Sequence, residues 1–213
     1  MKKIVIRVEI LILTVLVIYL TILKINDIQN ESSNSSSMKE AYHIAHKAIM
    51  KENPNVLLYF MVSTDSIDNP EDTTAGESGS RKYWNLIFAV PNTTDNWIVL
   101  VRNKKIKDII KVKGDSLDKT DLIDNMDSFI NSNEALLIAK NEYRLKPGEG
   151  WAIGYHFYLY KTSGVSTIVV FGRDPSKNFA SVSVNAETRE IIGAVHKVTY
   201  DGVTYNWEQF IKP

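Results

Sequence analysis

Apolar residues change their spacing along this chain in a pattern that occurs twice. Ala41, Ile44, Ala45, Ala48 and Ile49 fall on one helical stripe, and Ala135, Ile138, Ala139 and Tyr143 fall on another. Ser37 stands three residues before Glu40 and Asn131 three before Glu134. Each stripe therefore opens on an oxygen-bearing cap residue, with a carboxylate near the positive end of the helix. Asn53-Pro54 and Pro147-Gly148 predict the two helix ends.

After each helix the period shortens to two. Val56, Leu58, Phe60 and Val62 alternate in the first copy, and Trp151, Ile153, Tyr155, Phe157 and Leu159 in the second. These side chains are expected to face a core. Further strands are predicted at 83–90, 97–102 and around Ile109-Ile110, and again at 166–172, 179–184 and around Ile191-Ile192. Glu40-Ala41 recurs as Glu134-Ala135 at an offset of 94, whereas Asn96-Trp97 matches Asn178-Phe179 at an offset of 82. The difference places twelve extra residues in the first copy, in the loop around 64–80.

Leu117, Leu122, Ile123, Met126 and Phe129 predict a connecting helix over 115–131, and Asp201-Gly202 predicts a terminal hairpin. The expected organisation is a cytoplasmic end and signal anchor (1–25), a flexible linker (26–37), a first α+β unit (38–114), the connecting helix (115–131) and a second α+β unit (132–213). The expected fold class is α+β: an N-terminal transmembrane helix, then two tandem helix-plus-antiparallel-sheet units.

The anchor rests on residues 10–23 (ILILTVLVIYLTIL), which carry no charge. Fourteen residues reach about 21 Å against a hydrocarbon core of ~30 Å, so the span needs Ile4–Ile25, with Arg7 and Lys24 reaching the interface. The first alanine is Ala41 and the first glycine Gly76, which leaves no small-residue cleavage site after the run. Lys2, Lys3 and Arg7 precede it and only Lys24 closely follows. The expectation is a single-pass protein of the cell membrane with its domains outside the cytoplasm.

Composition narrows the chemistry. The 213 residues balance 25 Lys+Arg with 25 Asp+Glu, which argues against nucleic acid as a partner. With no cysteine there is no disulfide, thiol nucleophile, thiolate metal site or thiol to take a lipid. His43 and His46 share a helix face but have no third ligand at a recognisable spacing. Asp65, Asp68, Glu71, Asp72 and Glu77 lie in an acidic loop without the spacing of a calcium loop, and a solvated hairpin extension is expected there. Gly76-Glu77-Ser78-Gly79 does not complete a nucleophile elbow, and no phosphate loop or dinucleotide fingerprint is present. No catalytic, metal or cofactor residue is assigned. His156, Tyr158 and Tyr160 occupy the face of their strand opposite Phe157 and Leu159. They form either cross-strand aromatic packing or a protein-contact face, and are the candidate site.

The run Val182-Ser183-Val184-Asn185-Ala186-Glu187-Thr188-Arg189-Glu190-Ile191-Ile192-Gly193 resembles the closing strand, turn and strand of a PepSY domain. Asn185 stands where that family usually has Asp, and Arg189 where it usually has Gly. The likeness covers about residues 132–198 and implies PepSY/cystatin-like units. The anchored tandem arrangement also resembles the TseB-like cell-wall elongation regulators. By resemblance, the chain is a non-enzymatic, extracytoplasmic regulator that binds a cell-envelope protein, such as a cell-wall synthase or peptidase. Two other readings stay open: a metal-dependent hydrolase using His43, His46 or the acidic loop, and a self-assembling structural component of the envelope.

Overall fold

The computed structural model describes residues 34–66, 74–150, 152–200 and 204–213. The chain divides into two compact units, Met1–Asn34 and Ser35–Pro213, and the elements below belong to the second. The span expected within 4–25 lies outside the described residues. Among the described residues no helix is long and apolar enough to cross a membrane.

Helix α1 (Met38–Ile49) precedes strands β1 (Leu57–Thr64), β2 (Tyr83–Ala89), β3 (Asp95–Arg102) and β4 (Lys105–Lys113). Helix α2 (Ser132–Tyr143) precedes β5 (His156–Thr162), β6 (Val165–Arg173), β7 (Phe179–Asn185), β8 (Ile191–Tyr200) and β9 (Thr204–Gln209). The expectation of two tandem helix-plus-sheet units is overturned. All strands join in a single nine-stranded antiparallel sheet of order β4-β3-β2-β1-β5-β6-β7-β8-β9, with two α-helices among the described residues.

The physical reason lies at the seam. A meander starting at β1 leaves the outer edge of that strand with unpaired N–H and C=O groups, and β5 leaves the same edge in the second copy. The two edges pair with each other, Phe60 opposite Tyr160, Met61 opposite Leu159 and Val62 opposite Tyr158. The helix starts meet as well. Both predicted caps form, and each is a full capping box, around Ser37 and Asn131. The N–H of Met38 then donates to Ser132 Oγ (3.0 Å) and that of Lys39 to Asn131 Oδ1 (3.2 Å), so the start of α2 also caps α1.

Both helices cover one face of the sheet, α1 over β2–β4 and α2 over β6 and β7. The core runs across the seam without a break, from Ala41, Ala45 and Ile49 through Trp84 and Phe157 to Ile168 and Val182. The rings of Trp84 and Phe157 lie 6.2 Å apart.

Three local expectations also change. A bulge between Leu58 and Phe60 breaks the alternation of β1. Leu58, Met61 and Ser63 become the buried positions, and Phe60 and Val62 turn to the other face. Segment 115–131 is not a helix but two 3₁₀ turns, Lys119–Asp121 and Met126–Ser128. Between them Ile123 exchanges two backbone hydrogen bonds with Leu58 (2.7 and 3.2 Å), extending the sheet beside β1 instead of coiling. Residues 74–80 of the acidic loop are packed: Thr74 is buried, and a Cβ on Gly79 would overlap the backbone of Asn133. Residues 67–73 lie outside the described set.

Candidate protein-contact face

Among the described residues no helix covers the second face of the sheet. On the solvated face of an antiparallel sheet, alternation normally places polar residues. Here it places Phe60 and Val62 on β1, Tyr158 and Tyr160 on β5, and Val169 and Phe171 on β6. Phe60 and Tyr158 meet edge to face across the seam at 4.3 Å. Tyr158 also contacts Tyr160 (5.9 Å) and Phe171 (6.2 Å), Phe171 stacks on Phe179 (5.7 Å), and Phe179 meets Trp207 of β9 at 5.9 Å. Six rings thus form one chain from β1 to β9. Burial pushes the Tyr158 phenol above its ordinary value, assisted by Tyr160 and Tyr59, so the hydroxyl stays a neutral donor.

Two grooves flank Tyr158. One, of about 510 Å³, is lined by Val62, Ser63, Asp65, His156, Phe171 and Phe179 among others. The second, of about 560 Å³, lies between Tyr59, Phe60, Ile87 and Tyr160. The first ends in a polar cluster built round Arg81, which is 1% exposed. Its guanidinium donates to the carbonyls of Thr74 and Ile153, ion-pairs with Asp65 and contacts His156 Nε2 at 3.2 Å.

Ser63, His156 and Asp65 have the order of a nucleophilic triad, with Ser63 Oγ 3.3 Å from His156 Nδ1 and Asp65 Oδ2 3.3 Å from Nε2. Nε2 of His156 lies between the Arg81 guanidinium, which only donates, and Asp65 Oδ2, which only accepts, so the two make opposite demands on that nitrogen. Nδ1 faces the carbonyl and hydroxyl of Ser63, each at 3.3 Å, and Ser63 Oγ accepts the N–H of Phe157 at 2.9 Å. Ser63 is 3% exposed, and its hydroxyl serves the backbone at the seam. The cluster ties together the end of β1, the acidic loop and the entry to β5.

The other candidates are dispersed. His43 pairs with Asp127 at 3.1 Å, and His46 stacks on Tyr42 at 5.0 Å. Burial, then the neighbouring His43, pushes the His46 imidazole down. Among the described residues no three His, Asp or Glu side chains are grouped to hold a metal ion. His196 stacks on Phe210 and places Nδ1 2.6 Å from Asp174, which is buried in the β6–β7 turn.

His156, Tyr158 and Tyr160 therefore do share one face, and alternation sufficed to place them together. The sequence reading missed Phe60, Phe171, Phe179, Trp207 and Arg81. Phe171 and Phe179 bracket the Arg173–Asn178 turn, where alternation in the two flanking strands was the available signal.

Acid should weaken the fold through two of these carboxylates. Burial works against the charge of Asp65, but His156, Arg81 and the Ile153 N–H outweigh it and hold the carboxyl below its ordinary value near 3.8. Burial likewise opposes Asp174, and Asn178 and His196 outweigh it. A carboxyl with a lower value in the folded state stabilises fully above the unfolded value and loses that stabilisation as pH falls through the folded one. Urea denaturation followed from pH 6 downward should show stability falling below about pH 4. Asp174→Asn should flatten that limb; an unchanged slope would remove Asp174 from the account.

No protein-family model matches the chain, and no curated protein matches it. It is similar in fold to a crystal structure described as a "putative lipoprotein" from Clostridium difficile 630. The two share 13% identity with a TM-score of 0.53, over 73% of this chain and 92% of the other.

Proposed function

We propose that this protein is a non-catalytic, extracytoplasmic binding module of the cell envelope, which engages another protein through the helix-free face of its sheet. The observation that carries the reading is the chain of six aromatic rings on that face, centred on Tyr158. Amphipathic rings supply apolar contact area with few rotatable bonds, and they dominate the energetics of protein interfaces. Envelope placement draws support from the description of the similar structure, although the sequence holds no cysteine to take a lipid. The PepSY and TseB-like resemblance favours a cell-wall synthase or peptidase as the partner class.

Tyr158→Ala and Tyr160→Ala together should weaken partner capture at least about tenfold, the effect of losing an aromatic anchor. Photocrosslinking from the contact face in intact cells, followed by mass spectrometry, measures the capture. Because both rings are half-buried on an open face, the melting temperature should fall by only a few degrees, about 1 kcal/mol. Undiminished capture by the folded double variant would sink the proposal.

A further inference from the structure

We infer that the protein covering this face in the resting state is a second copy of the same chain, packed sheet against sheet about a two-fold axis. The inference rests on the contact-face reading above and names its resting occupant.

Extent is the first argument. Nine strands about 4.8 Å apart and roughly seven residues long, at ~3.3 Å per residue, make a face on the order of 900 Å². A stable dimer needs about 800 Å² from each partner. The apolar character reaches both flanks: Ile110 on β4 is 41% exposed, Val195 on β8 39% and Trp207 on β9 54%.

Charge is the second. In a two-fold pairing, residues near the axis meet their own copies, so a charged centre repels itself. On this face charge is confined to strand ends and outer strands: Asp65 follows the end of β1, Arg102 closes β3, Arg173 closes β6, Lys105 and Asp108 lie on β4 and Lys197 on β8. The middle of β1, β5, β6 and β7 shows rings, aliphatic chains and hydroxyls. A face shaped for an oppositely charged partner would carry charge at its centre, where it steers encounter and selects the partner.

The edge of the sheet supplies the third. Strand β4 presents Lys105, Lys107, Lys111 and Lys113. Lysines along an edge oppose strand-to-strand extension between copies. At the β4 edge association is thereby turned from the strand toward the face, where a two-fold pair closes on itself. Two sheets packed in this way lie about 10 Å apart and cross at about 30°. An envelope partner then competes with the second copy for Tyr158, and the local concentration of the chain sets how much of the face is free.

The absence of native cysteine makes the test clean. Val62→Cys, Ile87→Cys and Val195→Cys are made one at a time in the full chain, with Leu137→Cys on the exposed side of α2 as control. Under mild oxidation in native membranes, at least one outward cysteine should form a disulfide-linked dimer several-fold faster than Leu137→Cys. Adding Tyr158→Arg should abolish the difference. Outward cysteines that link no faster than the control overturn the inference. A maleimide of large mass, applied in parallel, separates the two readings. Protection of the outward positions without self-linking means that a different molecule holds the face, and only the second-copy inference fails. Full labelling of all three positions with no linked product overturns the contact-face reading as well.

Discussion

Arg81→Met should lower the unfolding free energy by about 3–5 kcal/mol, the range for removing one partner from a buried ion pair. The side chain is 1% exposed and serves three segments at once: Asp65 after β1, the Thr74 carbonyl in the acidic loop and the Ile153 carbonyl before β5. Methionine keeps much of the volume and removes every donor. Asp65 is then left with His156 and the Ile153 N–H, and two carbonyls lose a charged donor inside the fold. Arg81→Lys keeps the charge but not the planar fork, and should recover only part of the loss. Guanidinium denaturation gives the stabilities, and hydrogen exchange should show faster opening of residues 74–80 in both variants. A methionine variant within about 1 kcal/mol of the parent would mean that the cluster is not a structural tie.

The same cluster shows why some of this molecule was legible in its sequence and some was not. The helix starts at Ser37 and Asn131 could be read because capping is local: the oxygen, the carboxylate and the apolar stripe lie within one turn of each other. Strand positions could be read wherever alternation ran unbroken, as from His156 to Tyr160. Alternation carries no information about which strand lies alongside. Each copy reads as a complete helix-plus-meander unit, and the pairing of Phe60 with Tyr160 joins residues a hundred positions apart.

Phe60 was assigned to the wrong face because a bulge adds a residue without any glycine or proline to mark it. The 115–131 segment misled for another reason. Leu122, Ile123 and Met126 match helical spacing, yet Ile123 finds its backbone partners in Leu58, and no window of sequence contains both. Arg81 is the first basic residue after an acidic loop, which reads as a surface charge until the fold encloses it. Two of the six rings of the candidate face, Tyr158 and Tyr160, were thus visible together with His156. The rest depended on which strands the sheet brings beside β5.

Gly154→Ala should cost about 3 kcal/mol or more, and its comparison with Gly164→Ala separates two causes. Both glycines have positive φ, +79° and +80°. At Gly164, in the β5–β6 turn, a Cβ would meet nothing within 4 Å. Substitution there carries only the left-handed penalty of an L-residue, about 1–2 kcal/mol. At Gly154 the same Cβ would overlap the carbonyl of Ala75, the oxygen that accepts the N–H of Tyr155 at 2.8 Å. Gly154 also exchanges two backbone hydrogen bonds with Gly148, 2.6 and 3.0 Å, so it cannot retreat without losing them. The overlap must therefore be relieved by lifting residues 74–76 away from the entry to β5. That displacement pulls Thr74 off Arg81 and exposes the polar end of the groove beside Tyr158. Thermal denaturation of the two variants should show the larger fall for Gly154→Ala, with increased hydrogen exchange in residues 74–80 for that variant alone. Equal losses would mean that the acidic loop yields freely, and that the groove is not fastened at this end.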